Sequence, residues 1–132
     1  MGRLENKVAI ITGAGGGFGR RTAEIFSKEG SKIVVADFDE NNGMKTAEIV
    51  NAAGGDAIFI KTDVTDDEST KNMVEKTIEK YGKLDILINN AGKQGVKKDI
   101  GHMQVEEMMP YLNVNVRGPW LCIHHAAAEL IK

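Results

Sequence analysis

Short apolar segments alternate with longer amphipathic stretches along this chain. The apolar segments are rich in β-branched side chains and have the length of buried strands. They are residues 8–11, 33–36, 57–60 and 84–88. The stretches between them have helical spacing. This alternation predicts an α/β fold, in which a parallel sheet carries helices on both faces and the crossovers are right-handed.

Residues that begin or end helices divide the amphipathic stretches. A first predicted helix, residues 20–29, ends at Gly30, and a second, residues 40–53, ends at a pair of glycines. The third begins with Thr65-Asp66-Asp67-Glu68, which matches a capping box whose hydroxyl and carboxylate each accept from a free backbone N–H. Gly82 is expected to end this third helix.

The segment TGAGGGFG, residues 12–19, directly follows the first predicted strand. Backbone that leaves a strand and enters a helix presents free N–H groups and partial positive charge to a phosphate. Glycines permit the sharp turn and let a pyrophosphate approach the backbone closely. The pattern G-x-G-x-x-G is absent, because the sixth position counted from Gly13 is Phe18. The location between strand and helix therefore favours phosphate binding over a loop without a ligand.

Asp37 stands at the end of the second predicted strand, where the ribose of a bound nucleotide would lie. Its carboxylate would accept hydrogen bonds from both ribose hydroxyls and would repel a 2′-phosphate. No Lys or Arg occupies the middle of the glycine loop, residues 14–16. Both features favour NAD over NADP. Asp37 is also suited to begin the next helix, but Asp39 can fill that role.

The overall composition is that of one soluble globular domain. The 132 residues are 42% hydrophobic and 27% charged, which is usual for such a domain. A net charge of −2 provides no basic surface for nucleic acid. The adjacent His124 and His125 would point about 100° apart on a helix, so we expect no metal site.

Three features bear on where the protein acts. No apolar run approaches the roughly 18 residues of a membrane span, so we expect no membrane partner. The charged start, MGRLENK, lacks the apolar segment of a signal peptide. Cys122 is the only cysteine, which suits a reducing compartment. We therefore expect a cytoplasmic protein.

Taken together, these motifs resemble the short-chain dehydrogenases/reductases. The shared motifs are Thr12-Gly13-x-x-x-Gly17-Phe18-Gly19, Asp37, Asp63-Val64 and Asn89-Asn90-Ala91-Gly92. The resemblance runs from about residue 4 to residue 132. It implies a three-layer, Rossmann-type, doubly wound parallel sheet. This chain would supply strand order 3-2-1-4, and the remainder of the fold would lie outside it.

The resemblance also assigns these residues to a nicotinamide cofactor. The loop glycines and the Phe beside them would line the pyrophosphate, and Asp37 would bind the adenosine ribose. Asp63 and Val64 would flank the adenine, and the last motif would pass beside the ribose. The implied cofactor-binding residues are Gly13, Gly17, Phe18, Gly19, Asp37, Asp63, Val64, Asn90, Ala91 and Gly92.

The segment Val114-Asn115-Val116-Arg117-Gly118 resembles part of the fourth helix of the family. The resemblance makes Asn115 the catalytic Asn, which holds a kink and a water that connects the catalytic Lys to solvent. Asn113 is a competing candidate, and an amide that only bridges backbone groups is an alternative role for Asn115. Pro110, inside the same predicted helix, indicates a kink or a late helix start.

The rest of the family's catalytic set is not found in this sequence. Neither Tyr81 nor Tyr111 is followed four residues later by Lys, and every serine lies in the nucleotide half. Family members run to about 250 residues as one domain. We therefore expect residues 1–132 to be the N-terminal half of a single-domain NAD(H)-dependent enzyme, inactive alone, whose parent transfers hydride between nicotinamide and a secondary alcohol or ketone.

The truncated sheet would leave the fourth strand at an open edge, which invites pairing with another chain. The last predicted helix, residues 119–132, resembles one that meets a partner subunit in the family. Its outward residues are predicted to be Leu121, Ala128 and Ile131. We therefore expect a homo-oligomer, a dimer or a tetramer.

Two other functions stay open. A non-catalytic nucleotide-binding or interaction module, complete at 132 residues, is favoured by the missing Tyr-x-x-x-Lys and opposed by the unpaired fourth strand. A methyltransferase-like Rossmann domain also has a glycine loop and an acid after its second strand. The NNAG motif and the VNVRG segment argue against that class.

Overall fold

Strands and helices follow the alternation predicted from the sequence. A computed structural model describes residues 2–95 and 97–132. The strands are β1 (Val8–Thr12), β2 (Lys32–Asp37), β3 (Ala57–Lys61) and β4 (Ile86–Ile88). The helices are α1 (Gly17–Lys28), α2 (Glu40–Ala52), α3 (Asp67–Tyr81), α4 (Val105–Leu112) and α5 (Gly118–Leu130). A 3-10 turn, Ile100–His102, precedes α4.

The sheet is parallel, and its order is β3-β2-β1-β4, which confirms the predicted order. Ile10, in the middle of β1, is paired with Val34 on one side and Leu87 on the other. β1 is buried along its whole length, as expected of a strand that is covered on both faces. The carboxyl ends of the strands consequently lie together at one end of the sheet.

Neighbouring residues of β1 pack into separate cores on opposite faces of the sheet. Ile11 belongs to a cluster with Ala23 of α1 and Val50 of α2. Ile10 belongs to a second cluster with Met73 of α3, which residues of α5 also join. This separation follows from the two-residue period of strand side chains. The predicted three-layer, Rossmann-type arrangement is confirmed.

Two elements begin more than one residue away from their predicted start. α1 begins at Gly17 rather than at Arg20, so the end of the glycine loop is already the first turn of the helix. β4 begins at Ile86 rather than at Leu84. Leu84 is buried in the core, and the Asp85 carboxylate accepts from the backbone N–H of Val8 at 2.9 Å. The Asp85 side chain thus binds the Val8 N–H, which a backbone carbonyl would bind if β4 began earlier.

The capping box predicted at Thr65 is wrong by one residue. Asp66 is the N-cap of α3, and its carboxylate accepts from the Ser69 N–H at 2.7 Å. The Thr65 hydroxyl instead donates to Asp63 Oδ1 at 2.7 Å. The nearby carboxylate of Asp63 draws the hydroxyl away, and Asp is itself a strong N-cap. At α2, Asp39 is the N-cap, as predicted.

The irregularity predicted around Pro110 lies after the proline. α4 begins at Val105, so a late helix start at Pro110 is wrong. The helix runs through Pro110 and widens into a π-helical turn at Asn113–Arg117. Proline removes one helical hydrogen bond, and single π turns are frequent at functional sites. This turn contains the candidate Asn115.

The outward face of α5 differs in part from the prediction. Ala128 and Ile131 are exposed, but Leu121 is 4% exposed and therefore buried within this chain. Leu121 precedes the fully buried Cys122, and neither side chain reaches the solvent-facing side of α5. Instead, one exposed apolar stripe continues from the π turn into α5. We call Val116, Trp120 and Ile123 the outer stripe.

Candidate functional site

A cavity of about 680 Å³ opens where the carboxyl ends of the strands meet. Its volume lies in the range of small-molecule sites, and in parallel α/β sheets ligands bind outside these strand ends. Of the predicted cofactor residues, Gly17 and Gly19 do not line it. The lining residues are Gly13, Gly16, Phe18, Ala36, Asp37, Phe38, Thr62, Asp63, Val64, Thr65, Asn90, Ala91, Gly92 and Val114.

Two glycines of the loop are required by close packing. Gly13 has φ +63°, and a Cβ there would lie 2.8 Å from the Cα of Ala91. A Cβ on Gly19 would lie 2.7 Å from Asn90 Nδ2 and 2.8 Å from the Cα of Ala14. Real Cβ atoms do not approach that closely. Gly19 therefore supports the loop from behind, which explains its absence from the cavity wall.

The first turn of α1 is suited to an anion. Gly16 is its N-cap, no side chain caps it, and the turn contains no acidic residue. The first N–H groups of a helix have no partner within the helix and carry partial positive charge. A Cβ on Gly16 would meet nothing within 4 Å, so the loop is open there. These features fit a pyrophosphate.

The Asp37 carboxylate is held in one orientation by the backbone. Its Oδ2 accepts from the Gly15 N–H at 2.8 Å, and its Oδ1 accepts from the Asp39 N–H at 2.8 Å. Each carboxylate oxygen has a second lone pair, so both remain able to accept from hydroxyl groups. The carboxylate is thus pre-oriented at the cavity wall, as a ribose-binding group requires.

The cavity wall also contains Asp63, Val64 and an aromatic residue that sequence analysis missed. Asp63 Oδ1 accepts from both the backbone and the hydroxyl of Thr65, at 2.9 and 2.7 Å. Phe38 lines the cavity with 68% of its surface exposed, and Lys61 Nζ lies 5.7 Å from the centre of its ring. An exposed aromatic face and Val64 provide apolar surface for a flat base.

The NNAG motif is joined to the glycine loop by side chains. The Thr12 hydroxyl oxygen accepts from the N–H groups of Asn90 and Ala91, each at 3.0 Å. Asn90 Nδ2 donates to the Gly13 carbonyl at 3.1 Å. The ends of β1 and β4 are therefore locked together beneath the cavity. Thr12 was predicted only as part of the loop motif, and its fully buried hydroxyl is the central acceptor.

Asn115 projects from the π turn to the backbone of Lys93. Its Oδ1 accepts from the Lys93 N–H at 2.8 Å, and its Nδ2 donates to the Lys93 carbonyl at 2.9 Å. The amide thus bridges backbone groups, which is the alternative role that the sequence leaves open for Asn115. It also orders the chain directly after Gly92, whose ideal Cβ position is 3.5 Å from Asn115 Oδ1. A catalytic role for Asn115 stays a prediction.

The histidines have other partners than a metal. His125 Nε2 lies 2.6 Å from Asp67 Oδ1, and this hydrogen bond holds the pKa of the Asp67 carboxyl below its usual value. His124 stacks on Trp120 with ring centres 4.9 Å apart. Within residues 2–95 and 97–132, no three His, Cys, Asp or Glu side chains are grouped to hold a metal ion.

In the part of the chain that the structure describes, no helix combines the length and the apolar content needed to cross a bilayer.

Sequence comparison relates this site to known proteins. The sequence model of the family described as short chain dehydrogenase matches residues 7–132. The chain is 44% identical over 129 residues to an "Uncharacterized oxidoreductase" of Thermotoga maritima, covering 98% of this chain and 50% of that protein. It is 38% identical over 133 residues to "Tropinone reductase-like 1" of Erythroxylum coca, covering 98% and 48%. The chain therefore spans about half the length of these relatives.

Solved structures share the fold, and this chain again covers about half of each of them. The chain superposes on a hydroxysteroid dehydrogenase from Escherichia coli with a TM-score of 0.90 and 30% identity, covering 96% of this chain and 53% of that one. A short-chain type dehydrogenase/reductase from Mycobacterium marinum gives a TM-score of 0.91 and 30% identity, covering 96% and 51%. In both cases the similarity covers nearly all of this chain.

Proposed function

The chain belongs to the short-chain dehydrogenase family, and from this membership we propose that it is the dinucleotide-binding half of an NAD(H)-dependent oxidoreductase. The parent protein would transfer hydride between the nicotinamide and a secondary alcohol or ketone of small size. Residues 1–132 would hold the cofactor. They contain no Tyr-x-x-x-Lys, so these residues alone would be inactive.

One observation carries the proposal: an uncapped helix N-terminus and a pre-oriented carboxylate face the same cavity. The N-terminus of α1 favours the doubly negative pyrophosphate. Asp37 keeps lone pairs for the two ribose hydroxyls. A 2′-phosphate would place like charge beside Asp37 in a partly buried site, where repulsion is weakly screened. This arrangement supports NAD over NADP.

The remaining predicted residues complete this assignment. Asp63 and Val64 would flank the adenine, and Asn90, Ala91 and Gly92 would pass beside the ribose. The nicotinamide supplies hydride transfer when the cofactor is bound. Asn115 is proposed as the catalytic Asn, and its hold on the backbone after Gly92 would fix the shape of the site next to the nicotinamide.

Assembly and location are proposed on separate grounds. The outer stripe exposes 62% of Val116 and 61% of Trp120, and exposed apolar surface of this kind marks protein interfaces. We therefore propose a homo-oligomer that buries the outer stripe. The free, buried thiol of Cys122 suits a reducing compartment, which supports a cytoplasmic location.

Cofactor titration of the full-length protein tests the proposal. NADH fluorescence should report tight binding, with weaker binding of NADPH and none of S-adenosylmethionine. Asp37→Asn should weaken NADH binding by about tenfold or more, since hydrogen bonds to a charged acceptor are lost. Asp56→Asn makes the same change at an exposed carboxylate whose Oδ1 accepts from the Tyr81 hydroxyl at 2.8 Å, and it should leave NADH binding unchanged. Equal affinity for NADH and NADPH would contradict the assigned cofactor.

The second candidate is a nucleotide-binding or interaction module without catalysis, which the missing Tyr-x-x-x-Lys favours. The two functions differ in turnover. The full-length protein, supplied with NADH and a panel of small ketones, should oxidise NADH if it is an oxidoreductase. NADH binding without turnover, by a protein whose intact mass shows no residues beyond 132, would favour the module.

A further inference from the structure

Arg20 and Thr46 contact the glycine loop but do not line the cavity. Arg20 Nη2 donates to the Gly15 carbonyl at 2.6 Å, and its Nε donates to Thr46 Oγ1 at 2.9 Å. Thr46 lies on α2 and is fully buried. The two side chains thus join the loop to a helix that follows it by more than twenty residues in sequence.

The chemistry of the two groups sets the direction of these hydrogen bonds. A guanidinium only donates, so Thr46 Oγ1 must accept from Arg20. The hydroxyl has one proton to donate, and Ala14 offers a carbonyl oxygen at 2.7 Å. The Asn42 carbonyl is farther away, at 3.3 Å. Arg20 therefore fixes the hydroxyl so that its proton points to Ala14.

This arrangement determines where the Gly15 N–H points. The peptide unit between Ala14 and Gly15 is held at its carbonyl by Thr46 and donates its N–H to Asp37 Oδ2 at 2.8 Å. Arg20 holds the carbonyl of the next peptide unit. Glycine has no side chain to restrain these two units, so the hydrogen bonds provide the restraint.

We propose that Arg20 and Thr46 are positioning residues that aim the Gly15 N–H at Asp37 and thereby set the preference for a dinucleotide with a free ribose 2′-hydroxyl. The inference rests on the proposed NAD(H) site. Asp37 held by Gly15 presents its remaining lone pairs to the cavity. When the loop is released, the carboxylate can turn away and its discrimination against a 2′-phosphate falls.

Arg21 offers a matched control on the same helix. It carries the same charge, and its guanidinium pairs with Glu24 at 2.9 Å on the exposed side of α1. Arg21→Met removes one cation and one ion pair without touching the loop. Arg20→Met removes one cation together with the contacts to Gly15, Thr46 and the Asn42 carbonyl. A difference between the two variants therefore reports the contacts and not the charge.

Amide hydrogen exchange in the cofactor-free, full-length protein tests the positioning role alone. The Gly15 N–H should exchange about tenfold faster in Arg20→Met, as loss of a charge-assisted hydrogen bond implies. Thr46→Val should show the same direction, and Arg21→Met should match wild type. Exchange of the buried Ile10 N–H monitors global unfolding. Unchanged Gly15 exchange in both Arg20→Met and Thr46→Val would overturn the inference.

The ratio of the NADPH and NADH dissociation constants tests the specificity role. The ratio should fall about tenfold in Arg20→Met and stay unchanged in Arg21→Met. Arg20→Lys, which keeps the charge and N–H donors but loses the planar fork of the guanidinium, should recover part of the wild-type ratio. A general loss of stability would weaken the binding of NADH and NADPH equally and leave the ratio unchanged. Faster Gly15 exchange with an unchanged ratio overturns the specificity role, whereas a wild-type protein without NADH preference contradicts the proposed function instead.

Discussion

Gly19 provides the most direct test of the packing behind the cavity. A methyl group at this position would lie 2.7 Å from Asn90 Nδ2, 2.8 Å from the Cα of Ala14, and closer still to the Gly13 carbonyl oxygen. Two of these neighbours are backbone atoms. They belong to a loop that Asn90, just after β4, holds by a hydrogen bond to the Gly13 carbonyl, so the loop cannot move aside without breaking it.

The cost of Gly19→Ala follows from two contributions. Overpacking of a close-packed region costs about 1–3 kcal/mol. The hydrogen bond from Asn90 Nδ2 to the Gly13 carbonyl, 3.1 Å long, occupies the same place as the added methyl group, and its loss costs about 1 kcal/mol. We therefore expect Gly19→Ala to lower the free energy of unfolding by about 2–4 kcal/mol.

Two neighbouring glycines serve as controls for this variant. Gly16 has an extended backbone and no atom within 4 Å of its ideal Cβ position, so Gly16→Ala should be nearly neutral. Gly17 has φ +52° and equally open space, so Gly17→Ala should cost about 1–2 kcal/mol from backbone strain alone. Urea unfolding of the full-length protein measures all three. A Gly19→Ala protein within about 0.5 kcal/mol of Gly16→Ala would refute the packing argument.

Three further outcomes are expected. Thr12→Val should cost about 2–4 kcal/mol in urea unfolding, because two partly buried N–H groups lose their acceptor, and Thr12→Ser should restore most of this stability. Burial raises the pKa of the Cys122 thiol to about 11, so iodoacetamide at pH 8 should react only as the protein unfolds, and rapid labelling of the native state would contradict this. The Asn42 backbone N–H lowers the pKa of the Asp39 carboxyl. The stabilisation by ionised Asp39 is therefore present above the ordinary carboxyl pKa of about 4, and it is lost as the pH falls through the lower pKa of the folded state. Asp39→Ala should accordingly lower the midpoint of urea unfolding at pH 7, and should lower it much less in acid.

The sequence predicted the sheet and most of the cavity because their signals are local. A buried parallel strand appears as a short β-branched run, and a glycine loop directly after such a run has one place in the fold. Asp37 and the NNAG motif each follow a strand, so parallel pairing brings them to the same end of the sheet. Each of these signals lies within about ten residues of sequence.

The predictions that failed concern single residues for which two interactions or two helix faces compete. The cap of α3 moved from Thr65 to Asp66, because the Thr65 hydroxyl found a carboxylate two residues away. Leu121 was placed on an outward face but is buried. The small and apolar residues of α5 do not mark one face in the sequence, and the packing of α5 against α3 and β4 decided which of them are buried.

The sequence by itself determined the α/β class and the chemical groups at the strand ends, since these depend on local pattern, and its family motifs implied the strand order. Only the tertiary structure decided how those groups are held. The contact of Arg20 with Thr46, and that of Thr12 with the N–H groups after β4, join residues 26 and 78 positions apart. Such partners have no signal in the local pattern, because packing of whole elements brings them together.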